Sequence, residues 1–176
     1  MRAVVIFESM FGNTGQIARA IAEELAGVMD VEVHDVTQAP AQPPDDVDLV
    51  VVGAPTHAFS LSRPATRADA VEKGGRHPEG SAGLREWLDE LRDRPQGEVW
   101  AVFDTRADRV RRLPAGASRK ASAMARRRHA HVIAVQSFYV SSTTGPLTPR
   151  EADRARDWAR VLARLAADRA GRPAQA

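Results

Sequence analysis

The chain has 176 residues, a formal net charge of +2 and no cysteine. This length suits a single domain with a sizeable core. The lack of cysteine excludes disulfides, thiolate catalysis, iron–sulfur ligation by Cys and cysteine-type zinc sites. Aromatic residues make up only 5% of the chain, so we expect a core built mainly from Val, Ile, Leu and Ala.

The small net charge hides a division between two parts of the chain. Residues 1–104 carry 9 Lys and Arg against 18 Asp and Glu, whereas residues 105–176 carry 16 against 5. Nine basic residues lie within residues 106–128, where Asp108 is the single acidic residue. We therefore expect a fold with a strong electrostatic polarity.

No break in composition divides the chain, so we predict one domain over residues 1–169 and a flexible tail over residues 170–176. The N-terminus has no apolar signal core, and no apolar run approaches the length that crosses a bilayer. These features predict a cytoplasmic protein without membrane insertion.

Five short segments have the pattern of β-strands. Four are continuous apolar runs, whereas the second alternates apolar and polar residues as a half-exposed edge strand does. In chain order they are residues 2–7, 31–36, 47–53, 99–103 and 132–135, with a continuation to Val140 as an alternative.

Helical patterns separate these strands, at residues 13–27, about 64–74, 82–92 and 118–128. A last helix is predicted to start at a capping box formed by Thr148 and Glu151, with Pro149 at its first position. Two apolar stripes are expected to be buried, one in the third helix and one in the last: Leu84, Trp87, Leu88 and Leu91, and Trp158, Val161, Leu162 and Leu165.

Strands that alternate with helices predict a doubly wound α/β fold, with a parallel sheet and helices on both faces. The polar second strand favours the order 2-1-3-4-5, which places it at an edge. Ligands in such sheets bind beyond the carboxyl ends of the strands. The loops of interest are therefore residues 8–14, 54–63 and 104–117, called here the first, second and third loops. The polar turn at residues 141–146 could approach the same edge.

The first loop joins a buried strand directly to the N-terminus of an amphipathic helix. Unpaired backbone N–H groups and the positive end of the helix dipole favour an anion there, most often a phosphate. Ser9, Asn13 and Thr14 add side-chain donors, and Gly12 allows a close approach of the backbone. The alternative is a capped helix start without a ligand.

This segment resembles the flavodoxin signature, which sets eight positions across a strand, a loop and a helix. The chain matches every one of them, with Val5, Ile6, Phe7, Ser9, Gly12, Thr14, Ala18 and Ile21. The resemblance implies a flavodoxin-like three-layer sandwich with a five-stranded sheet, and FMN as the cofactor. By the same resemblance, the FMN phosphate would be held by Ser9, Gly12, Asn13 and Thr14 and by the backbone N–H of Phe11. Met10, between them, would be a further cofactor-binding residue.

In flavodoxin-like proteins the second loop lines the isoalloxazine ring and often stacks an aromatic residue on it. Here Phe59 or His57 would stack, beside Pro55 and Thr56, and backbone N–H groups near Thr56 and His57 would meet ring N5. The alternative is an ordinary loop whose Phe59 enters the core.

The third loop usually places an aromatic residue on the other ring face, but residues 104–116 contain none. This departure indicates a more open flavin, looser binding or an aromatic residue from a partner subunit. The resemblance still makes Asp104, Thr105 and Arg106 candidate contacts, with Arg106 stabilising a reduced, anionic flavin.

The resemblance implies an electron carrier that passes electrons between a reductase and an acceptor through an exposed flavin. Two alternatives stay open, namely an NAD(P)H:quinone oxidoreductase and a flavodoxin-fold binding module that has lost FMN. No catalytic acid–base residue is required, and no metal site is expected because His129 and His131 lack a third ligand.

The basic segment at residues 106–128 has three interpretations. It is a solvated surface, a docking surface for an acidic redox partner, or a site for the phosphates of NAD(P)H. Nucleic acid is disfavoured because the segment has no interleaved aromatic residues. The sequence leaves the oligomeric state open.

Overall fold

The structure, a computed structural model, describes residues 1–94, 97–114 and 116–171. Within these residues, five strands form one sheet in the order β2-β1-β3-β4-β5, with parallel pairing throughout. The predicted strand order is confirmed, and β2 lies at an edge. The strands are β1 (Arg2–Phe7), β2 (Asp30–Asp35), β3 (Leu49–Pro55), β4 (Val99–Ala107) and β5 (His131–Val140).

Helices cover both faces of this sheet. Helices α1 and α5 pack together on one face, and α3 and α4 pack together on the other. The predicted three-layer α/β sandwich is therefore confirmed. The helices are α1 (Asn13–Leu25), α2 (Pro64–Glu72), α3 (Leu84–Asp89), α4 (Ala117–Arg127) and α5 (Glu151–Ala170). Of the tail predicted over residues 170–176, residues 172–176 lie outside the described residues.

Alternation along the central strands divides the core into two layers. In β1, Val5 and Phe7 face α1 and α5, whereas Val4 and Ile6 face α3 and α4. Because both layers are packed, the central strands are apolar on both faces. The stripe predicted for α3 is buried as expected, with Leu84, Trp87, Leu88 and Leu91 each at most 5% exposed.

Two expectations for the last helix are wrong. Helix α5 begins at Glu151, after Arg150 in a left-handed conformation, and no side chain caps it. The Glu151 carboxylate is 3% exposed and accepts a hydrogen bond of 3.0 Å from the backbone N–H of Tyr139 in β5. This buried anchor sets the rotation of α5, because the helix must present Glu151 to the sheet.

The buried stripe of α5 shifts accordingly. Val161 and Leu165, which were expected inside, are 48% and 39% exposed. Small residues take their place and let α5 approach α1 closely. The buried residues after Glu151 are Ala155, Ala159, Leu162 and Ala166.

Strand β4 is longer than the sequence predicts, and this affects the edge of the sheet where the predicted loops meet. Strand β4 continues to Ala107. Strand β5 ends at Val140, which is the alternative end predicted for it above. Asp104, Thr105 and Arg106 therefore belong to a strand and not to a loop, so their side chains alternate between the two faces.

Candidate functional site

A cleft of about 230 Å³ opens at the carboxyl ends of β1, β3 and β4. All three predicted loops contribute to it, as expected for parallel strands whose ends meet at one edge. Eleven of the thirteen predicted site residues line the cleft: Ser9, Met10, Phe11, Asn13, Thr14, Pro55, Thr56, His57, Phe59, Thr105 and Arg106. The two that do not are Gly12 and Asp104.

The backbone of the first loop turns sharply just before α1. Gly12 has a φ of 86°, in the left-handed region, and a Cβ at this position would meet nothing within 4 Å. The Gly15 N–H donates to Ser9 Oγ at 3.1 Å, and the Gln16 N–H donates to the Gly12 carbonyl at 2.9 Å. The helix ladder therefore begins only after the first loop.

Five consecutive backbone donors precede these bonds. Within residues 1–94, 97–114 and 116–171, the N–H groups of residues 10–14 donate to no protein acceptor. Most of these residues line the cleft. Such a run of uncommitted N–H groups at a helix N-terminus suits an anion.

The polar side chains of the first loop already have protein partners. Thr14 Oγ1 and Thr105 Oγ1 lie 2.7 Å apart, in positions that are 2% and 5% exposed. Asn13 Nδ2 donates to the carbonyl of Thr144 at 3.0 Å. These contacts fix the first loop against the end of β4 and against the turn that follows β5.

The turn after β5 forms part of the cleft wall. Val140 and Thr143 line the cleft, and a Cβ on Gly145 would lie 2.5 Å from Asn13 Oδ1. The prediction that residues 141–146 approach this edge is confirmed. The signal was their position after a parallel strand, whose carboxyl end meets the same edge as the others.

The second loop ends in a tight turn at the rim of the cleft. The His57 N–H donates to the Ser60 carbonyl, and the Ser60 N–H donates to the His57 carbonyl, both at 2.9 Å. Ala58 and Phe59 have φ values of 45° and 63°, an unusual pair of left-handed conformations for residues other than glycine. The turn leaves Phe59 54% exposed. The alternative that Phe59 enters the core is therefore wrong.

The expected backbone donors to ring N5 are already committed within the protein. The Thr56 N–H donates to the Thr105 carbonyl at 2.8 Å, and the His57 N–H is used in the turn. Among the described parts of this loop, Ala58 and Phe59 at the tip have N–H groups without a protein acceptor, as do Leu61 and Ser62 further along. The contact to ring N5 from a backbone N–H near Thr56 and His57 stays a prediction, and the Thr56 and His57 N–H groups themselves are already hydrogen-bonded.

The His57 imidazole lies on the cleft wall among cationic groups. Burial lowers the pKa of His57 below its ordinary value, and the positive charges of Lys73 and Arg67 lower it further. The ring is therefore neutral at pH 7. A neutral His57 adds no charge beside a bound group but keeps one donor and one acceptor.

Asp104 faces away from the cleft, which corrects its assignment as a contact. Its carboxylate is fully buried, and Oδ2 accepts hydrogen bonds from the Ser118 N–H and hydroxyl at 3.0 and 2.9 Å. The Thr56 hydroxyl also donates to Oδ2, at 3.1 Å. Asp104 thus holds the N-terminus of α4 against the second loop, a role that alternation along β4 assigns to it.

Arg106 and the following residues form the third wall. Arg106 lines the cleft, and its Nη1 donates to the Leu113 carbonyl at 3.0 Å. The Arg111 guanidinium lies 4.1 Å from the centre of the Tyr139 ring, a cation–π contact that holds the loop on β5. Ala107, Arg109 and Val110 also line the cleft, although the sequence analysis did not select them. The sequence pattern did not indicate these residues, because β4 extends four residues past the apolar run that predicted it.

A buried polar network lies behind the first and second loops. Glu8 is 1% exposed, and its carboxylate accepts hydrogen bonds from the Ser62 hydroxyl and, at 2.9 Å, from the Leu84 N–H. Arg67, itself 5% exposed, donates to Ser62 Oγ at 3.0 Å and to Glu86 Oε2 at 3.1 Å. The network ties both loops to α2 and α3. Its sequence signal was a single carboxylate directly after an apolar strand.

Two kinds of structural feature are absent from the described residues. In the described part of the chain, no helix is long and apolar enough to cross a membrane. The same residues contain no group of three His, Asp or Glu side chains that could hold a metal ion.

Comparisons with known proteins give a consistent result. Residues 4–66 match the family model for the flavodoxin domain, and none of the curated protein sequences matches the chain. Among solved structures, a flavodoxin from the domain Archaea is similar, with a TM-score of 0.63 and 18% identity over 95% of this chain and 99% of that one.

Two bacterial structures are similar to a comparable degree. The flavodoxin of Streptococcus pneumoniae TIGR4 has a TM-score of 0.63 and 18% identity over 94% of this chain and 99% of its own. A WrbA-like flavodoxin from Agrobacterium tumefaciens has a TM-score of 0.55 and 17% identity over 95% of this chain and 98% of its own. At these identities the structural likeness establishes the fold.

Proposed function

We propose that the chain is a flavodoxin-type protein that binds FMN in the cleft and carries electrons between a reductase and an acceptor; the match of residues 4–66 to the flavodoxin domain and the shared fold support this. The single observation that carries the proposal is the run of uncommitted N–H groups at residues 10–14. These groups lie where α1 begins, and they suit the dianionic phosphate of FMN. Ser9, Asn13 and Thr14 stand beside them and supply further polar atoms.

The rest of the cleft fits the isoalloxazine ring on one side. Phe59 offers an exposed ring at the rim, and His57 and Pro55 form the wall beside it. The cleft volume of about 230 Å³ is below the range of roughly 300–1,000 Å³ for sites that enclose a ligand. FMN would therefore be only partly covered, which suits a carrier that must present its ring edge to partners.

When bound, FMN would supply the electron-transfer chemistry, as cofactors do. The protein's own residues have three tasks. The first loop holds the phosphate, Phe59 and the neutral His57 exclude water from one face, and Arg106 and Arg109 place positive charge at the rim of the cleft. That charge would favour added negative charge on the bound cofactor electrostatically.

Titration of the apoprotein with FMN tests the proposal, with flavin fluorescence and visible absorbance as readouts. We expect a yellow protein with one FMN per chain. Gly12→Ala is expected to weaken FMN binding at least tenfold, because the added Cβ disfavours the left-handed backbone that aims the N–H groups.

Gly80→Ala is the matched control. Gly80 also has a positive φ, 73°, and open space at its Cβ position, but it lies outside the cleft. Both variants should lose similar stability, and only Gly12→Ala should lose FMN. If the protein were colourless and took up no FMN, the proposal would be wrong, and the alternative of a flavodoxin-fold binding module would be favoured.

A second assay separates a carrier from a reductase. We expect NAD(P)H alone to bleach the FMN-loaded protein slowly, because a carrier receives its electrons from another protein. Rapid bleaching, followed by turnover with a quinone, would contradict the carrier function and favour an NAD(P)H:quinone oxidoreductase.

A further inference from the structure

We infer that a basic surface beside the cleft docks an acidic redox protein, an inference that rests on the proposed electron-carrier function and names its partner class. The basic surface consists of exposed cations from the loop after β4 and from the outer side of α4. They are Arg109, Arg112, Arg119, Arg126 and Arg127.

Helix α4 presents its cations on one side. Its inner side is buried by small or apolar residues, including Ala121, Met124 and Ala125. Arg119, Arg126 and Arg127 are separated by seven and eight positions, which is close to two full turns. They therefore share the outer side of the helix and extend the charge over about 12 Å along its axis.

These cations are not neutralised within the protein. Across the described ranges, no carboxylate lies within 4.0 Å of the five guanidinium groups of the basic surface. On α5, by contrast, three of the five arginines, Arg154, Arg156 and Arg160, each pair with at least one carboxylate. The two sets differ although both belong to an arginine-rich chain. Unpaired like charges in one patch repel each other, and an opposite charge from a partner relieves that repulsion.

The basic surface is continuous with the proposed flavin site. Arg109 lines the cleft, and Arg106 lines both the cleft and a groove of about 410 Å³ next to α4. Arg119 and Arg126 line the same groove. A partner bound on these cations would therefore lie beside the open edge of the cleft.

Exposed apolar side chains border the cations, as in a protein–protein interface. Phe59 is 54% exposed at the cleft rim, and Leu113 and Val135 are each 43% exposed beside the groove. Protein interfaces combine an apolar centre with a charged rim. The pyrophosphate of a nucleotide would use only a few of the cations, and single-stranded nucleic acid would need stacking aromatic side chains. An acidic protein makes use of the whole surface.

Binding to an acidic plant-type [2Fe–2S] ferredoxin, used as the probe, tests the docking surface. The affinity is measured by titration at 20 mM and 200 mM salt. The variant R112Q/R119Q/R127Q removes three cations that lie outside the cleft. The matched control R19Q/R164Q/R169Q removes three exposed cations from α1 and α5, on the opposite face of the sheet.

We expect wild-type affinity to fall steeply with salt, because the contact is electrostatic. The basic-surface variant should bind the ferredoxin at least tenfold more weakly at 20 mM salt, and the control should bind within threefold of wild type. Equal losses in the two variants would show that only net charge matters, and would overturn the inference. Displacement of the ferredoxin by micromolar NADPH, or tighter binding of a 20-base-pair DNA duplex, would overturn it as well.

The kinetic readout uses the FMN-loaded protein. One electron leaves the reduced cluster of the ferredoxin and reduces the flavin by one electron, so that oxidation and reduction balance. The second-order rate constant should fall with salt and in the basic-surface variant, but not in the control. The binding titration does not need FMN. A failure to take up FMN would therefore contradict the proposed function and leave the docking inference to be tested by the titration. Unchanged ferredoxin affinity in the basic-surface variant would sink the docking inference alone.

Discussion

The hydroxyl groups of Thr14 and Thr105 lie 2.7 Å apart in the buried floor of the cleft. Thr14 stands in the first turn of α1, and Thr105 stands near the end of β4, 91 positions later in the chain. One of the two hydroxyls donates and the other accepts. This contact joins the first loop to the wall that carries Arg106, so both parts of the proposed site depend on it.

Removing either hydroxyl is expected to lower the stability of the protein. Thr14→Val and Thr105→Val each leave one buried hydroxyl without its partner, at a cost of about 1–3 kcal/mol in the free energy of unfolding. The double variant leaves none unpaired, so its loss should be smaller than the sum of the single losses. Urea unfolding of the apoproteins measures all three. Strictly additive losses would show that the two hydroxyls do not interact.

Thr14→Val should also weaken FMN binding by about 1–3 kcal/mol, since a charged acceptor loses a donor beside it. The affinity is measured by quenching of flavin fluorescence. Thr66→Val is a suitable control, because the Thr66 hydroxyl bonds at the start of α2 and does not line the cleft. If Thr14→Val left the affinity unaltered, the phosphate would have to lie elsewhere.

Phe59→Ala is expected to weaken FMN binding by about 1–2 kcal/mol, because an aromatic face against the ring is lost. Its effect on stability should stay within about 0.5 kcal/mol, since the side chain is 54% exposed. Isothermal titration with FMN and thermal unfolding give the two values. The control Val161→Ala removes an apolar side chain that is 48% exposed on α5, and it should change neither affinity nor stability appreciably. Equal affinity for wild type and Phe59→Ala would mean that another residue stacks on the flavin.

Gly53 is predicted to tolerate no side chain. It lies in β3, and a Cβ there would be 2.0 Å from Cζ of Phe103, which is fully buried. Gly53→Ala should therefore cost about 1–3 kcal/mol of stability through overpacking. The further change Phe103→Leu should restore part of that loss.

The control for this clash is Gly27→Ala, where the nearest atom to the added Cβ is the Glu24 carbonyl oxygen at 3.5 Å. That substitution should be close to neutral. Thermal unfolding compares the variants. A Gly53→Ala protein as stable as wild type would show that the Phe103 ring moves aside at no cost.

The lowered pKa of His57 predicts a dependence of stability on pH. The unfolded chain binds a proton on His57 near the ordinary value of about 6.5, whereas the folded protein binds it only at lower pH. The unfolded state therefore holds more protons in that window, and stability must rise with pH there and fall on acidification. His57→Gln should flatten this slope below about pH 6.5. Urea unfolding between pH 5 and pH 8 measures it, and an identical slope in the variant would assign the dependence to other groups.

Much of the fold follows from local patterns in the sequence. Apolar runs and one alternating segment identified the five strands, and the polar second strand set the edge of the sheet. Helix α3 matched its predicted stripe, because side-chain periodicity is a property of a few neighbouring residues. The ends of β4 and the rotation of α5 were not predictable in this way. Both depend on a distant partner. For α5 that partner is the Tyr139 N–H, which donates a hydrogen bond to the Glu151 carboxylate.

The candidate site likewise has features that local sequence predicts and features that depend on distant contacts. The sequence by itself determined that a strand, a hydroxyl-rich loop and a helix N-terminus occur in succession at residues 5–21, since each of these is encoded locally. Only the tertiary structure decided that Thr14 meets Thr105, that the turn after β5 reaches Asn13, and that the Asp104 side chain faces α4. Those contacts join residues far apart in the chain, and they are selected by how the packed layers align rather than by local conformational preference.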